Sequence, residues 1–293
     1  MRLSEDITIT GNRAMARSYA KINLTLDVLG KREDGYHSLR SVMQTVGLSD
    51  LVIVDKCSYG IRLTTNKKFL PNNSKNIAYQ AAQKFFEKTK IKGGVKILIH
   101  KNIPIAAGLA GGSGNGAAVL CALNMLYSNP LTEDELLKLG ATIGADVPYC
   151  IMGGTQLAEG IGEILTTKKP LGRYWVLLVT PPIAVSTPQV FSEFDSIQKE
   201  IFPDNDAMLK AIDEFDFYGI CKNLANSLEG VTIRQHPVIG EIKEKMLSDG
   251  AVNSIMSGSG PTVFGLFDDF NKAKQAHDSF SLRYKDVFLT TTV

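Results

Sequence analysis

The sequence has little of what marks several large protein classes. Its four cysteines, Cys57, Cys121, Cys150 and Cys221, stand far apart with no CxxC pair. That argues against a zinc site and against a disulfide framework, and free thiols suit a reducing cytoplasm. The longest strictly apolar stretches, such as Trp175–Val179, are far shorter than the roughly 20 residues of a membrane span. Met1–Met15 is polar and lacks the apolar core of a secretory signal. Neither charge prevails: 32 basic and 30 acidic residues leave a net charge of +2. No nucleic acid or membrane surface is therefore expected as a partner, although a local positive site can still hold a small polyanion. There is no internal repeat and no low-complexity segment. What is present is an ordinary globular composition, 44% apolar and 21% charged over 293 residues. That length suits two domains of middling size or one large domain with a cleft.

The pattern of residues predicts a mixed chain. Residues 1–15 read as an extension with a possible strand at Ile7–Thr10, and Met15 is an alternative start. Strands follow over Arg17–Val28, Leu39–Leu48, Asp50–Asp55 and Ile61–Thr65, with a turn at Asp34–His37. Asn76 is an N-cap for a helix over Ile77–Lys88. A strongly alternating strand, Val95–Ile99, leads through a long loop into a helix over Asn115–Tyr127. Thr132 and Glu135 form a capping box for the next helix, and a short helix begins at Asp146. Strands are expected at Gln156–Glu159 and Tyr174–Thr180. Pro181-Pro182 marks a boundary, which gives domains of residues 1–180 and 181–293. Helices are expected near Pro188–Phe194, Ala207–Phe215, Tyr218–Leu228 and Pro237–Asp249. The last third then reads β-β-α-β, through Val252–Met256, Thr262–Phe267, Asn271–Phe280 and Asp286–Thr292. This is an α+β pattern rather than a doubly wound parallel sheet.

The stretch Ile103–Ala118 carries the most chemistry. It follows a strand, opens a helix and contains Gly108, Gly111, Gly112, Gly114 and Gly116. Small residues let backbone N–H groups approach a ligand, and a helix start favours phosphate. Close packing at a tight turn is the plainer reading, and five glycines at one helix start favour phosphate over it. No Gly-Lys-Ser/Thr ends the loop, so it is not a P-loop. The letters of a dinucleotide fingerprint occur at Gly112, Gly114 and Ala117. The long preceding loop with Pro104, and acidic residues Glu133 and Asp134 at a helix start, count against that match. Asp146 follows Gly144 just before a helix, where a lone Asp is most often an N-cap. Lys21 and Asn23 share one face of a strand, which fits a phosphate contact or, more commonly, a solvated polar face. Ser257-Gly258-Ser259-Gly260 is a second glycine loop, either a turn or a ligand wall.

Taken in order, these stretches resemble the GHMP kinase superfamily. The residues that carry the resemblance are Ala20–Leu24, Arg32–His37, Pro104–Ala118, Gly144–Pro148, Ala158–Glu163, Ser186–Pro188 and Ser257–Pro261. Lys-Ile-Asn-Leu and Asp-Gly-Tyr-His point to the branch acting on a cytidine diphosphate-linked methylerythritol in non-mevalonate isoprenoid synthesis. The resemblance implies an N-terminal domain like ribosomal protein S5 domain 2 and a ferredoxin-like C-terminal domain. It implies a cytoplasmic enzyme, monomer or homodimer, that uses ATP and Mg²⁺. Asp146 would be the general base and Lys21 would hold it and the transferring phosphoryl, with no protein metal site assigned. ATP would lie on Pro104, Ala106, Ala107, Gly108, Leu109, Ala110, Gly111, Gly112, Ser113, Gly114 and Asn115. Asn23 and Thr187 would line the substrate pocket. Tyr36 and Phe191 would sandwich the cytosine ring, with His37 at its polar edge. The family usually reads Gly-Gly-Ser-Ser, then Asn or Asp, then Ala; here Gly114 replaces the second Ser and Gly116 the Ala. Gly116 weakens the first helical turn by about 1 kcal/mol relative to Ala. A GHMP-type kinase of another small alcohol and a catalytically weak, ligand-binding paralogue are the competing readings.

Overall fold

The computed structural model describes residues 2–293, which cluster into two compact units. Unit 1 holds residues 2–20, Leu48–Ile105 and Ala110–Gly153; unit 2 holds Lys21–Gly47, Ala106–Leu109 and Gly154–Val293.

In unit 1 a 3-10 turn, Leu3–Asp6, leads into β1 (Ile7–Thr10), which pairs antiparallel with the start of β2 (Arg13–Lys31). The second half of β3 (His37–Cys57) pairs antiparallel with β5 (Gly94–His100), which pairs parallel with β4 (Gly60–Thr65). Three of the four helices here are α1 (Ile77–Thr89), α2 (Gly111–Leu126) and α3 (Glu133–Ala141); the fourth is α4 (Val147–Met152). Alternation in the strands aims Val52, Val54, Ile97 and Ile99 at one core, where they join Phe85 of α1 and Leu120 and Leu123 of α2. Each such side chain contributes roughly 1.5–3 kcal/mol when fully buried. Leu3, Ile7 and Ala14 belong to the same core, so the N-terminal stretch is packed structure and not a loose tail. Asn76 caps α1 by accepting from the Ala78 N–H, and Lys90 in the left-handed region ends that helix. Thr132 and Glu135 form the expected capping box of α3.

In unit 2, β6 (Thr155–Glu159) pairs with Ser41–Gln44 of β3 and with β7 (Ile164–Thr167). The remaining elements are β8 (Trp175–Thr180), α5 (Thr187–Phe194), α6 (Asn205–Asp213), α7 (Phe217–Lys222), β9 (Ala225–Asn226), α8 (Glu229–Gln235), α9 (Val238–Ser248), β10 (Asn253–Met256), β11 (Val263–Phe267), α10 (Phe270–Ser281) and β12 (Asp286–Thr291). A second sheet runs β10-β11-β8-β12, antiparallel at every step. This strand order, with helices between β8 and β10 and between β11 and β12, is the ferredoxin-like arrangement. Leu177, Val179, Met256, Val263 and Phe267 of the sheet pack with Ile239, Ile242 and Phe280 of the helices.

Three expectations change. The strands expected over Leu39–Leu48 and Asp50–Asp55 are one strand, β3. Gly47 permits this because a Cβ there would come within 2.7 Å of Thr290 Oγ1. The helix expected over Tyr218–Leu228 stops at Lys222, and Asn226 sits instead in β9, paired with β2. The buried Asn226 amide donates to the Met256 and Gly258 carbonyls, a side-chain role that local periodicity does not encode. Helix α2 begins at Gly111, four residues before the expected Asn115, because its first turn is glycine-rich and weak in intrinsic propensity. Among the described residues no helix is long and apolar enough to cross a membrane.

Candidate active site

Unit 1 carries candidate binding groups of its own at the start of α2. Ala110 is the N-cap residue, in the left-handed region at φ 56°, and no side chain caps the helix. The first helical hydrogen bond runs from the Gly114 N–H to the Ala110 carbonyl at 2.8 Å. The N–H groups of Gly111, Gly112 and Ser113 therefore precede the helical ladder and point out of its positive end. Gly112 is exposed, whereas Gly114 and Asn115 are buried. Pro104, half-buried, precedes the turn.

Three of the glycines here are set by a neighbour. A Cβ on Gly111 would lie 2.9 Å from Lys101 Nζ, one on Gly114 2.4 Å from Ser18 Oγ, and one on Gly116 2.7 Å from Ile77 Cγ2. The two departures from the family pattern are thus occupied volumes, not gaps. Ser18 Oγ is buried and makes no hydrogen bond.

Beneath the helix start lies a buried charge cluster that the sequence reading missed. Lys101 Nζ donates to Asp50 Oδ2 and, at 3.2 Å, to Asn115 Oδ1, while the Asn115 amide donates to Asp50 Oδ2 at 2.8 Å. Asp50 Oδ1 accepts from the N–H groups of Asn102 and Ile103 at 2.7 and 2.8 Å. Burial pushes the Lys101 pKa down from its usual value, and Asp50 opposes that shift. Both polar ends of the Asn115 side chain are engaged here, so its contribution is to fix the helix start. A charged residue closing the strand just before the loop was the available signal.

Asp146 occupies the N-cap position of α4 but makes no cap hydrogen bond. This corrects the plain capping reading: its φ and ψ are −82° and −8°, helical rather than the extended values usual for a capping residue. Asp146 is half-buried. A Cβ on the adjoining Gly144 would be 3.8 Å from Ser113 Oγ, which puts the starts of α4 and α2 side by side.

Unit 2 carries a separate set of candidate groups on β2, the short segment Ala106–Leu109 and the Ser257–Gly260 loop. The backbone N–H of Lys21 donates to the Leu109 carbonyl at 3.2 Å. Lys21 Nζ donates to Asn23 Oδ1 at 2.5 Å, and the Asn23 amide donates to Ser41 Oγ at 2.8 Å. Lys21 and Asn23 are 4% and 1% exposed, so the solvated-face reading of this pair is wrong. Gly108 has φ +74°, and a Cβ on it would collide with the Ser257 carbonyl at 2.2 Å. Ser257 Oγ donates to the Gly108 carbonyl at 3.0 Å, which ties the two glycine loops together. Ala106 is in the left-handed region at φ 52°, and Ala107 and Leu109 are buried. Thr187 Oγ1 and Ser259 Oγ are hydrogen-bonded at 2.7 Å.

The residues expected around a base ring also lie in unit 2. His37 stacks on Phe191 with ring centroids 4.8 Å apart and 27° between planes. Tyr36 is 61% exposed and pairs with no other ring among the described residues. His37 Nε2 meets Asp195 Oδ1 at 2.6 Å, and Lys31 Nζ donates to Asp195 Oδ2 at 2.8 Å. Lys31 and then His37 hold the Asp195 carboxyl below the usual carboxylate range. Asp195 and Lys31 were not singled out in the sequence, because 158 positions separate Asp195 from its histidine.

Comparisons with known proteins bear on the family. Residues 76–154 match the model for the GHMP kinases N terminal domain, and residues 208–286 match that for the GHMP kinases C terminal domain. A 4-diphosphocytidyl-2-C-methyl-D-erythritol kinase of Clostridium novyi (strain NT) is 47% identical over 277 residues, 94% of this chain and 99% of the relative. A crystal structure of 4-(cytidine 5'-diphospho)-2C-methyl-D-erythritol kinase superposes with a TM-score of 0.80 at 33% identity, covering 95% of this chain and 98% of that one. A mevalonate kinase of L. major, 16% identical with a TM-score of 0.72 over 98% of this chain and 97% of its own, shares the fold. With both halves of the family matched and relatives aligned nearly end to end, the chain belongs to the GHMP kinases, on the branch of the 4-diphosphocytidyl-2-C-methyl-D-erythritol kinases.

Proposed function

We propose that this kinase transfers the γ-phosphoryl of ATP to the 2-hydroxyl of 4-diphosphocytidyl-2-C-methyl-D-erythritol, in the cytoplasm, as a step of non-mevalonate isoprenoid synthesis. The observation that carries the reading is Lys21: an ammonium only 4% exposed whose hydrogen-bond partner in unit 2 is the neutral Asn23. A buried charge held without a counter-charge is costly, and an anionic ligand removes the cost. The near full-length likeness to kinases of this substrate supplies its identity.

Phosphoryl transfer asks for alignment and charge neutralisation more than for covalent help. The N–H groups of Gly111, Gly112 and Ser113 bind phosphate oxygens, and Gly108, with Ala106, Ala107 and Leu109, lets the chain pass close to the nucleotide. Lys21 draws the transferring phosphoryl, and Asn23 orients the acceptor. Asp146, whose carboxylate is withheld from capping, accepts the acceptor hydroxyl's proton as the loose transition state forms. Tyr36 and Phe191 embrace the cytosine, His37 reads its edge and Thr187 lines the pocket.

No group of three or more His, Cys, Asp or Glu residues able to hold a metal occurs among the described residues. Mg²⁺ carried chiefly by nucleotide phosphates needs only one or two protein oxygens. Ser113 would offer the ion a hydroxyl oxygen, and the ion would neutralise phosphate charge. A substrate panel tests the reading: ADP release with the cytidylyl substrate, against mevalonate and homoserine. Turnover is expected with the first alone, and turnover with either of the others in its place would overturn the assignment.

A further inference from the structure

The contact between His37 and Asp195 fixes more than the position of a ring. A carboxylate only accepts hydrogen bonds, so the imidazole nitrogen facing it must carry the proton. At 2.6 Å from Asp195 Oδ1 that nitrogen is Nε2. In the neutral ring the proton on Nε2 leaves Nδ1 bare, as an acceptor. The ring is only 8% exposed in its side chain and lies against Phe191, so it cannot turn over freely to exchange the two nitrogens. Lys31 holds the other Asp195 oxygen at 2.8 Å and so fixes the carboxylate against rotation. Nδ1 makes no hydrogen bond among the described residues and is not sealed away from solvent.

We propose that Asp195 is a specificity-determining positioning residue: by fixing the Nε2–H tautomer of His37 it leaves Nδ1 as an acceptor that matches an exocyclic amino group and rejects a carbonyl. This rests on the reading above, in which His37 meets the cytosine edge. Cytosine offers an amino donor at its 4-position, where uracil offers an oxygen. Two acceptors facing each other lose the hydrogen bond and leave a desolvated lone pair. Asp195 thus makes the choice between the two bases without touching either.

The test uses Asp195→Asn. Lys31 donates, so it retains the amide oxygen, and the amide NH₂ turns to His37 Nε2. That moves the ring proton to Nδ1, which becomes a donor. The first readout is the ¹⁵N spectrum of the histidine ring in the folded protein, which identifies the protonated nitrogen. The second is KM and kcat with the cytidylyl substrate and its uridylyl analogue. For the wild type, a proton on Nε2 and preference for cytidylyl are expected. In Asp195→Asn, the KM for the cytidylyl substrate should rise about tenfold, the weight of one hydrogen bond, while the uridylyl KM falls and kcat holds. A loss of general packing would instead lower kcat with both substrates alike. A wild-type spectrum with the proton on Nδ1 overturns the proposal without any variant. Base preference that survives Asp195→Asn overturns it too, and leaves the nucleotide reading intact. A wild type indifferent to the base overturns the reading of His37 and this proposal with it.

Discussion

Two buried lysines of this chain, each 4% exposed, do opposite work. Lys101 in unit 1 is locked to Asp50 and Asn115 beneath the start of α2. Lys21 in unit 2 has the neutral Asn23 and, within that unit, no carboxylate. The first charge is compensated within its unit, as a structural ion is; the second has no counter-charge within its unit among the described residues, which suits the phosphoryl contact proposed for it. The surroundings repeat the contrast. In unit 1 the candidate binding groups are backbone N–H groups among small residues, with Gly111, Gly114 and Gly116 wedged against neighbours. In unit 2 the candidate groups are side chains that hold one another by hydrogen bonds. Burial alone does not separate a structural ion from a functional one, and the partner does.

Breaking the compensated pair should have the largest effect on stability. Lys101→Met strands the Asp50 carboxylate in the core, at a cost of about 3–5 kcal/mol, read as a lower denaturation midpoint at unchanged slope. Adding Asp50→Asn should recover part of that loss, because the stranded charge goes with it. The mirror experiment is Lys21→Met. Its turnover should fall about 100- to 1,000-fold, the weight of one electrostatic contact to a transition state. Its thermal midpoint should hold or rise, since an uncompensated buried charge has been removed. A midpoint that drops as far as in Lys101→Met would erase the distinction.

Smaller effects sharpen the glycine side. Gly114→Ser puts a side chain where Ser18 Oγ already sits, and should cost about 1–3 kcal/mol by overpacking. In a Ser18→Gly background the same substitution should be nearly neutral. Equal losses in the two backgrounds would mean that Ser18 does not set the glycine. The smallest effect concerns acid stability. Asp195 titrates below the usual carboxylate range in the folded state, so its contribution is full above that range and fades as pH falls through the depressed value. The acid limb of a stability curve should therefore flatten slightly in Asp195→Asn, and an unchanged limb would show that the Lys31 contact is screened away.

Much of this was legible in the sequence. The alternating strands, the Asn76 cap, the Thr132–Glu135 box and the β-β-α-β ending were read from local periodicity, and all stand. So was the glycine-rich opening of a helix, because closely packed backbone there requires small residues. What stayed hidden depends on partners distant in the chain. Gly47 is a strand residue because of Thr290, Gly114 a glycine because of Ser18, and Asn226 a strand residue because of two carbonyls thirty positions away or more. Lys101 looked like any charged residue at a strand end until Asp50, 51 positions earlier, appeared beside it. Asp146 reads as a cap from its neighbours in sequence, and only the folded helix start, where its side chain makes no cap hydrogen bond, shows otherwise.

The most direct test of the account is coupled ADP release with ATP, Mg²⁺ and 4-diphosphocytidyl-2-C-methyl-D-erythritol, with wild type and Asp146→Asn side by side. The wild type should turn over, and the variant should bind ATP unchanged while kcat drops about 100- to 10,000-fold, as loss of a general base requires. Wild-type turnover that the substitution leaves untouched would contradict the role of Asp146, and a wild type that binds ATP without releasing ADP would contradict the kinase reading itself.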